Sequence, residues 1–143
     1  MKVLFVCYRN VGRSQVAQAY FDKLSQHDSD SAGIAVDKNI ESGKLPGRKL
    51  KHVPTQRSVE YIRREFGVDI AEKERQQLIP DMIDKADLVI VIAEKEGWPD
   101  YLKEGSKLVF WDIPEGVGQA DDFVYDVFRQ VQHKVEQLVE EIG

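Results

Sequence analysis

The chain has 143 residues, of which 42% are hydrophobic and 31% charged, and this length and composition suit one domain with a real hydrophobic core. Its 25 acidic side chains outnumber its 20 lysines and arginines and give a net charge of −5, which disfavours a protein that coats nucleic acid. The single cysteine, Cys7, excludes an internal disulfide, and with it a disulfide-built secreted scaffold or a relay between two protein thiols.

The apolar runs of the sequence are too short for a targeting or membrane-spanning segment. Val3–Val6 is shorter than the core of a signal peptide, and the longest other run, 86–93, is interrupted by Asp87 and cannot cross a bilayer. We therefore expect a soluble, cytoplasmic protein that does not bind membranes.

Strand and helix patterns alternate along the first part of the chain. Val3–Cys7 is almost wholly apolar, which is typical of a strand buried on both faces of a parallel sheet. The spacing of apolar residues predicts a helix over Ser14–Gln26 and a weaker second strand over Ser31–Val36. The segment from Ile34 to Ser58 is aperiodic and reads as a long loop.

The second half continues this alternation and predicts an open α/β sheet. We expect a helix through Val59, Ile62 and Phe66 that ends at Gly67, followed by a short helix over 75–84. Strands are expected over Asp87–Ile92 and Leu108–Trp111, with helical residues near 95–102 between them. The last element is an amphipathic helix from Val124 to Ile142, which Asp121 and Asp122 are expected to cap. Such alternation implies parallel β-α-β units with helices on both faces. Ligands then bind at the carboxyl ends of the strands.

The loop after the first strand carries the strongest chemical signal. Five residues separate Cys7 from Arg13, and a helix begins at about Ser14. So short a loop at a helix N-terminus turns its N–H groups inward and forms an anion-binding cup, to which Arg13 adds a fork for two phosphate oxygens. The same groups stabilise a Cys7 thiolate, placed for in-line attack on a bound tetrahedral oxyanion.

The small residues of this loop fit the same interpretation. Gly12 can take a positive φ without steric penalty, and Asn10 tolerates the left-handed region while it bonds the loop backbone. Ser14 either caps the helix or donates its hydroxyl to the sulfur of Cys7. A lone cysteine at a strand end is in general more often an inert buried side chain. The conjunction of strand, cysteine, Asn–Gly loop, Arg–Ser and helix favours the functional interpretation.

Residues 6–14 resemble the phosphate-binding loop of the low-molecular-weight protein tyrosine phosphatase family, which includes related arsenate reductases. Further matches are Ser31-Ala32-Gly33, Gly67-Val68-Asp69-Ile70 and Ala86-Asp87-Leu88-Val89-Ile90. The resemblance implies one domain over 1–143, with four parallel strands flanked by helices. It also implies that Cys7 is the nucleophile, Arg13 the phosphate clamp, Asn10 a loop organiser and Ser14 a thiolate partner, in a loop made of Tyr8, Arg9, Asn10, Val11, Gly12, Arg13 and Ser14.

The general acid is the point where the sequence departs from the family pattern. The family uses an aspartate followed directly by proline after the last strand, and no such dipeptide occurs in this chain. Two carboxyl groups remain as candidates, Glu115 and Asp112. We favour Glu115, because a group farther along the loop can reach over the cup. Either residue has an alternative interpretation as a structural carboxylate that bonds loop N–H groups.

The walls of the pocket also depart from the family pattern. Tyr8 fits an aromatic wall, but residues 34–53 contain no aromatic side chain, and the tyrosines that follow Asp-Pro in the family are absent. Trp98, Tyr101 and Trp111 are possible replacements, although aromatics at such positions are more often core. Arg9 stands where the family usually has glycine, and it adds a charge at the mouth of the loop. Specificity for aryl phosphates is therefore not implied.

The segment from Ile34 to Ser58 is basic in an acidic protein. Its charged residues are Lys38, Lys44, Arg48, Lys49, Lys51 and Arg57 against Asp37 and Glu41. One hypothesis is a rim that steers anionic substrates to the cup. A solvated charged loop is the interpretation we favour. The three histidines, His27, His52 and His133, lack metal-ligand spacing, and we expect no metal or other cofactor.

Three functions remain open at this stage. The leading one is a cysteine-dependent phosphomonoester hydrolase that acts through a phosphocysteine on a phosphorylated protein or a small aryl phosphate. The second is an arsenate reductase completed by an external thiol or a glutaredoxin-like partner. The third is a non-catalytic module that binds phosphate or phosphoproteins. We expect a monomer or weak dimer with no nucleic-acid or membrane partner.

Overall fold

The centre of the computed structural model, which describes residues 1–143, is a four-stranded parallel sheet in the order β2-β1-β3-β4. The strands are β1 (Lys2–Cys7), β2 (Asp28–Gly33), β3 (Leu88–Val91) and β4 (Leu108–Phe110). The helices are α1 (Arg13–Leu24), α2 (Val36–Ser42), α3 (Arg57–Phe66), α4 (Pro80–Lys85) and α5 (Asp121–Ile142), with two 3-10 turns at Leu50–His52 and Lys95–Gly97. The predicted fold class, a parallel sheet flanked by helices, is confirmed.

The sheet has an apolar core on each face, because successive residues of a strand point to opposite sides. Val3 and Phe5 of β1 lie in the larger core, which α1, α3 and α5 cover. Leu4 and Val6 lie in the smaller core on the other face, against which Met82 of α4 packs. No helix combines the length and apolarity needed to cross a membrane.

Several predicted elements have different bounds in the structure. β2 begins at Asp28 rather than Ser31, because its polar first half pairs with Lys2–Leu4 at the edge of the sheet. The segment 34–58 is not a loop throughout, since it contains α2 and a 3-10 turn. Residues 95–102 form only a 3-10 turn, and the extended Trp98 before Pro99 ends it.

The ends of three helices can be compared with the local sequence signals that predicted them. α3 ends at Gly67, as predicted, with φ 72°. The predicted helix over 75–84 is wrong in its first half: α4 begins at Pro80, which suits a first helical turn, and 75–79 is extended. α5 has Ala120 at its N-cap, with no side-chain cap, so Asp121 and Asp122 lie in the first turn and do not cap it.

The strand order creates a crevice at the carboxyl end of the central strand. The chain leaves β1 toward β2 on one side, and β3 lies on the other side of β1. In an open α/β sheet, this divergence of the connections is where ligands bind. The loop that follows Cys7 lies there.

Candidate active site

Cys7 and Arg13 lie at the two ends of the loop that joins β1 to α1. The Cys7 thiol ends the strand and is buried, with its Sγ 3.0 Å from Ser14 Oγ. Gly12 is the N-cap of α1, no side chain caps this end, and the first turn contains no acidic residue. The N–H groups of a first helical turn have no partner inside the helix, so they remain available to an anion.

Asn10 holds the loop from within. It is fully buried and is the only non-glycine residue with a positive φ, 54°. Its amide is fully bonded: Nδ2 donates to Ser14 Oγ (2.7 Å) and Ser31 Oγ (3.1 Å), while Oδ1 accepts from Gln15 Nε2 (3.0 Å) and the Gln76 N–H (3.0 Å). Gly12 does not use the positive φ that glycine allows, since its φ is −105°. A Cβ at Gly12 would instead lie 3.4 Å from the Phe128 ring.

The Ser14 hydroxyl connects this network to the sulfur. Because Ser14 Oγ accepts a hydrogen bond from Asn10, its own hydrogen is available to Cys7 Sγ. Ser14 lies inside α1, and Gly12 occupies the N-cap, so the capping alternative for Ser14 is excluded.

The Arg13 guanidinium is fixed by the ends of two other strands. It is 5% exposed, and Nη1 alone donates to three acceptors: Ile92 O (2.7 Å), Ile113 O (2.9 Å) and Glu94 Oε1 (2.9 Å). Nε and Nη2 make no hydrogen bond within the chain, so both are left to bind two oxygens of one oxyanion. The residues after β3 and β4 thus orient a side chain that begins α1.

β2 approaches the loop so closely that only glycine fits at its end. A Cβ on Gly33 would lie 2.7 Å from the Tyr8 carbonyl oxygen and 2.9 Å from the Asn10 nitrogen. The N–H groups of Ile34 and Ala35, just beyond, donate to the carbonyls of Cys7 and Tyr8. This contact fixes the start of the loop.

A cavity of about 410 Å³ opens at the loop, lined by Cys7 and Gly12 among others. Its charged lining consists of Arg9, Arg13, Lys44, Arg57 and Glu115. Its apolar lining is aliphatic except for Phe128, and includes Val11, Leu45, Val53, Val117, Val124 and Val127. Four cations against one carboxylate suit an anionic ligand.

The two candidate acids are placed differently. Glu115 lines the cavity with Cys7 and forms an ion pair with Arg9, in which each side chain is about one third exposed. Asp112 is exposed to solvent and does not line this cavity. The structure therefore brings Glu115, and not Asp112, to the site of the thiol.

None of the predicted aromatic wall residues lines the cavity. Tyr8 turns away, and its hydroxyl donates to the Glu94 carbonyl at 2.9 Å, while its burial, together with the charge of Glu94, raises the pKa of that hydroxyl. The other three are occupied elsewhere: Trp98 packs on Phe110, Tyr101 bonds the Leu78 carbonyl, and Trp111 packs on Phe5.

Four of the six cations of the basic segment do not line the cavity, and three of those four are paired with carboxylates elsewhere. Arg48 pairs with Asp37 at 2.9 Å, and both Lys49 and Lys51 pair with Glu72. Only Lys44 and Arg57 reach the cavity lining. Sequence reasoning did not identify Glu94 and Gln76, since neither has a local signal and both reach the loop from elements far along the chain.

Comparisons with known proteins bear on the family and the fold of the chain. The family model described as low molecular weight phosphotyrosine protein phosphatase matches residues 2–143. No curated protein matches the sequence at a significant level. Among solved structures, a low molecular weight protein tyrosine phosphatase from T. tengcongensis is 23% identical, with a TM-score of 0.79 and 99% of each chain covered.

Two further solved structures share the fold. Wzb of Vibrio vulnificus, in complex with benzylphosphonate, is 23% identical with a TM-score of 0.78, and the match covers 98% of this chain and 97% of Wzb. A thioredoxin-dependent arsenate reductase of Corynebacterium glutamicum is 24% identical with a TM-score of 0.70, and the match covers 99% of this chain and 61% of the reductase.

Proposed function

This chain belongs to the low molecular weight phosphotyrosine protein phosphatase family, and from that premise we propose that it hydrolyses phosphomonoesters through a phosphocysteine. One observation carries the proposal. The only thiol of the chain ends β1 in a cavity that also holds Arg13, whose Nε and Nη2 have no acceptor within the chain.

The proposed reaction has two displacements at phosphorus. The Cys7 thiolate attacks phosphorus, the bond to the leaving oxygen breaks, and Glu115 gives that oxygen its proton. Water then attacks the phosphocysteine, the P–S bond breaks, and the Glu115 carboxylate takes the proton of the water. Arg13 and the loop N–H groups bind the phosphoryl oxygens, and Ser14 donates to the departing sulfur.

Hydrolysis of p-nitrophenyl phosphate tests the proposal. We expect Cys7→Ser to reduce kcat by at least about 10³-fold, because it removes the nucleophile. Arg13→Lys keeps the charge but loses the fork and should reduce kcat/KM about 10²-fold. Arg63→Lys, on the exposed face of α3, is the matched control. Hydrolysis by Cys7→Ser at the wild-type rate would overturn the proposal.

Arsenate reduction is the second candidate, supported by the similarity to the C. glutamicum reductase. Arsenate has the shape and charge of phosphate and fits the same cup. With one cysteine in the chain, an external thiol must form the disulfide with Cys7 that releases arsenite. Arsenate-dependent NADPH consumption with a thioredoxin or glutaredoxin system, without ester hydrolysis, would select this activity. Tight phosphate binding without either reaction would select the binding module.

We further propose a phosphorylated protein or a small phosphate ester as the substrate. The apolar cavity wall, which is aliphatic except for Phe128, supports no particular preference for aryl groups, and the four cations of the cavity favour an anionic ligand. A reactive thiol stays reduced in the cytoplasm, which is where the proposal places the protein. A monomer or weak dimer suffices, because every proposed group comes from one chain.

A further inference from the structure

Arg75 is a buried cation behind the phosphate loop that none of the proposed steps uses. It lies in the extended segment 75–79 and is 1% exposed. Nε donates to the Arg9 carbonyl at 3.0 Å, and Nη1 donates to the carbonyls of Leu45 (3.0 Å) and Gly47 (2.5 Å). Nη2 is buried without a hydrogen-bond partner.

The charge of this guanidinium is not neutralised by any carboxylate. Every acceptor it contacts is a neutral carbonyl, and it takes part in no ion pair. Burial lowers the pKa of Arg75, the nearby Arg48 lowers it further, and the charge of Cys7 raises it. A buried charge without a partner is costly, and no carboxylate contacts Arg75 to offset that cost.

Two of the three carbonyls belong to residues that line the cavity, Arg9 and Leu45. Arg9 lies in the loop between Cys7 and Arg13, directly before the left-handed Asn10. Leu45 lies in the segment after α2 and also lines the cavity. Because a peptide group is planar, holding the Arg9 carbonyl also fixes the direction of the Asn10 N–H.

We propose that Arg75 is a positioning residue of the phosphate site. It joins the Arg9–Asn10 peptide to the wall segment at 45–47, and it adds a fixed positive charge behind the cup without touching the ligand. The activity part of this inference rests on the proposed function. The anion-binding part does not.

The test compares Arg75→Met with Arg48→Met. Arg48 is the matched control, since it is an exposed cation of the same region that bonds the Arg75 carbonyl and Asp37 but not the phosphate loop. For Arg75→Met we expect the Kd of inorganic phosphate, by calorimetry, to rise about 10-fold and kcat/KM to fall roughly 10- to 100-fold, the range for residues that orient binding groups. Arg48→Met should stay within about 2-fold in both.

Arg75→Lys is the second variant, and it retains the charge while losing the fork. We expect it to recover most of the phosphate affinity and part of kcat/KM. A merely structural Arg75 would lower the melting temperature and leave the phosphate Kd, measured well below it, unchanged.

The inference is overturned if Arg75→Met matches Arg48→Met in both readouts. If Arg75→Met does not fold, Arg75→Lys decides instead: a kcat/KM equal to that of the wild-type protein overturns the inference. The two proposals can fail separately. If the wild-type protein binds phosphate but hydrolyses no ester, and Arg75→Met weakens that binding, the result supports this inference and rejects the proposed function.

Discussion

The two most important charged side chains of the cavity are held in different ways. Arg13 is buried and bonded to backbone carbonyls at the ends of two strands, so its position follows from the sheet itself. Glu115 is held by the Arg9 side chain, and both are partly exposed. An exposed pair is weak and can separate, which leaves the carboxyl group of Glu115 free to move when a ligand enters.

Glu115 and Asp112 are expected to differ sharply when each is neutralised. Glu115→Gln should lower kcat about 10²-fold for phosphate esters with poor leaving groups and little for good ones, because general acid catalysis matters most when the leaving oxygen is basic. Asp112→Asn, on the exposed side of the same loop, should have no effect. Aryl phosphates of graded leaving-group pKa provide the measurement. If Asp112→Asn lowers kcat for poor leaving groups and Glu115→Gln does not, Asp112 is the general acid instead.

At the level of the elements, the site depends on how closely β2 approaches the phosphate loop. The last residue of β2, Gly33, is in near contact with the backbone of Tyr8 and Asn10. Gln76 also connects β2 to the loop. Its N–H donates to Asn10 Oδ1, and its carbonyl accepts a hydrogen bond from the Gly33 N–H. The loop is thus fixed from both the strand and the extended segment 75–79.

A methyl group at Gly33 should disturb both stability and binding. The Cβ of Gly33→Ala would lie 2.6 Å from Val36 Cγ2 and under 3.0 Å from two backbone atoms of the loop. We expect an unfolding free energy about 1–3 kcal/mol lower, as for other overpacked sites, together with weaker phosphate binding. Gly105→Ala is the control, because its Cβ meets nothing within 4 Å. Equal denaturation midpoints for the two variants would contradict the close approach.

For the whole molecule, we expect anion binding at the phosphate loop to be coupled to folding. Residues that follow β1, β3 and β4 meet at Arg13, so the cup exists only when the sheet is assembled. A ligand that binds only the folded state stabilises it by mass action.

Inorganic phosphate should therefore raise the melting temperature. At a phosphate concentration of ten times its Kd, the expected stabilisation is about 1.4 kcal/mol, which amounts to a few degrees for a chain of this size. Arg13→Ala should abolish the shift, while chloride at matched ionic strength should not produce it in the wild-type protein. A shift of equal size in Arg13→Ala would mean that the anion binds elsewhere.

The sequence by itself determined the features that depend on short stretches of chain. The apolar run before Cys7 predicted β1, the segment from Cys7 to Arg13 predicted a short loop that ends at a helix N-terminus, and the apolar stripe closed by Gly67 predicted α3. Periodicity and glycine act within a few residues, so these signals survive without knowledge of the rest of the fold.

The tertiary structure alone decided which side chains share the cavity. Arg9 and Glu115 are 106 residues apart in the chain, and Tyr8 turns away from the cavity because the Glu94 carbonyl, 86 residues away, accepts its hydroxyl. Residues 75–79 are extended although their sequence pattern predicts a helix, because their backbone forms hydrogen bonds with Gly33 and Arg48. This extended segment places Arg75 behind the loop. Contacts between distant residues depend on strand order and on which hydrogen-bonding groups remain without a partner. The spacing of residues along a short stretch of sequence predicts neither of these.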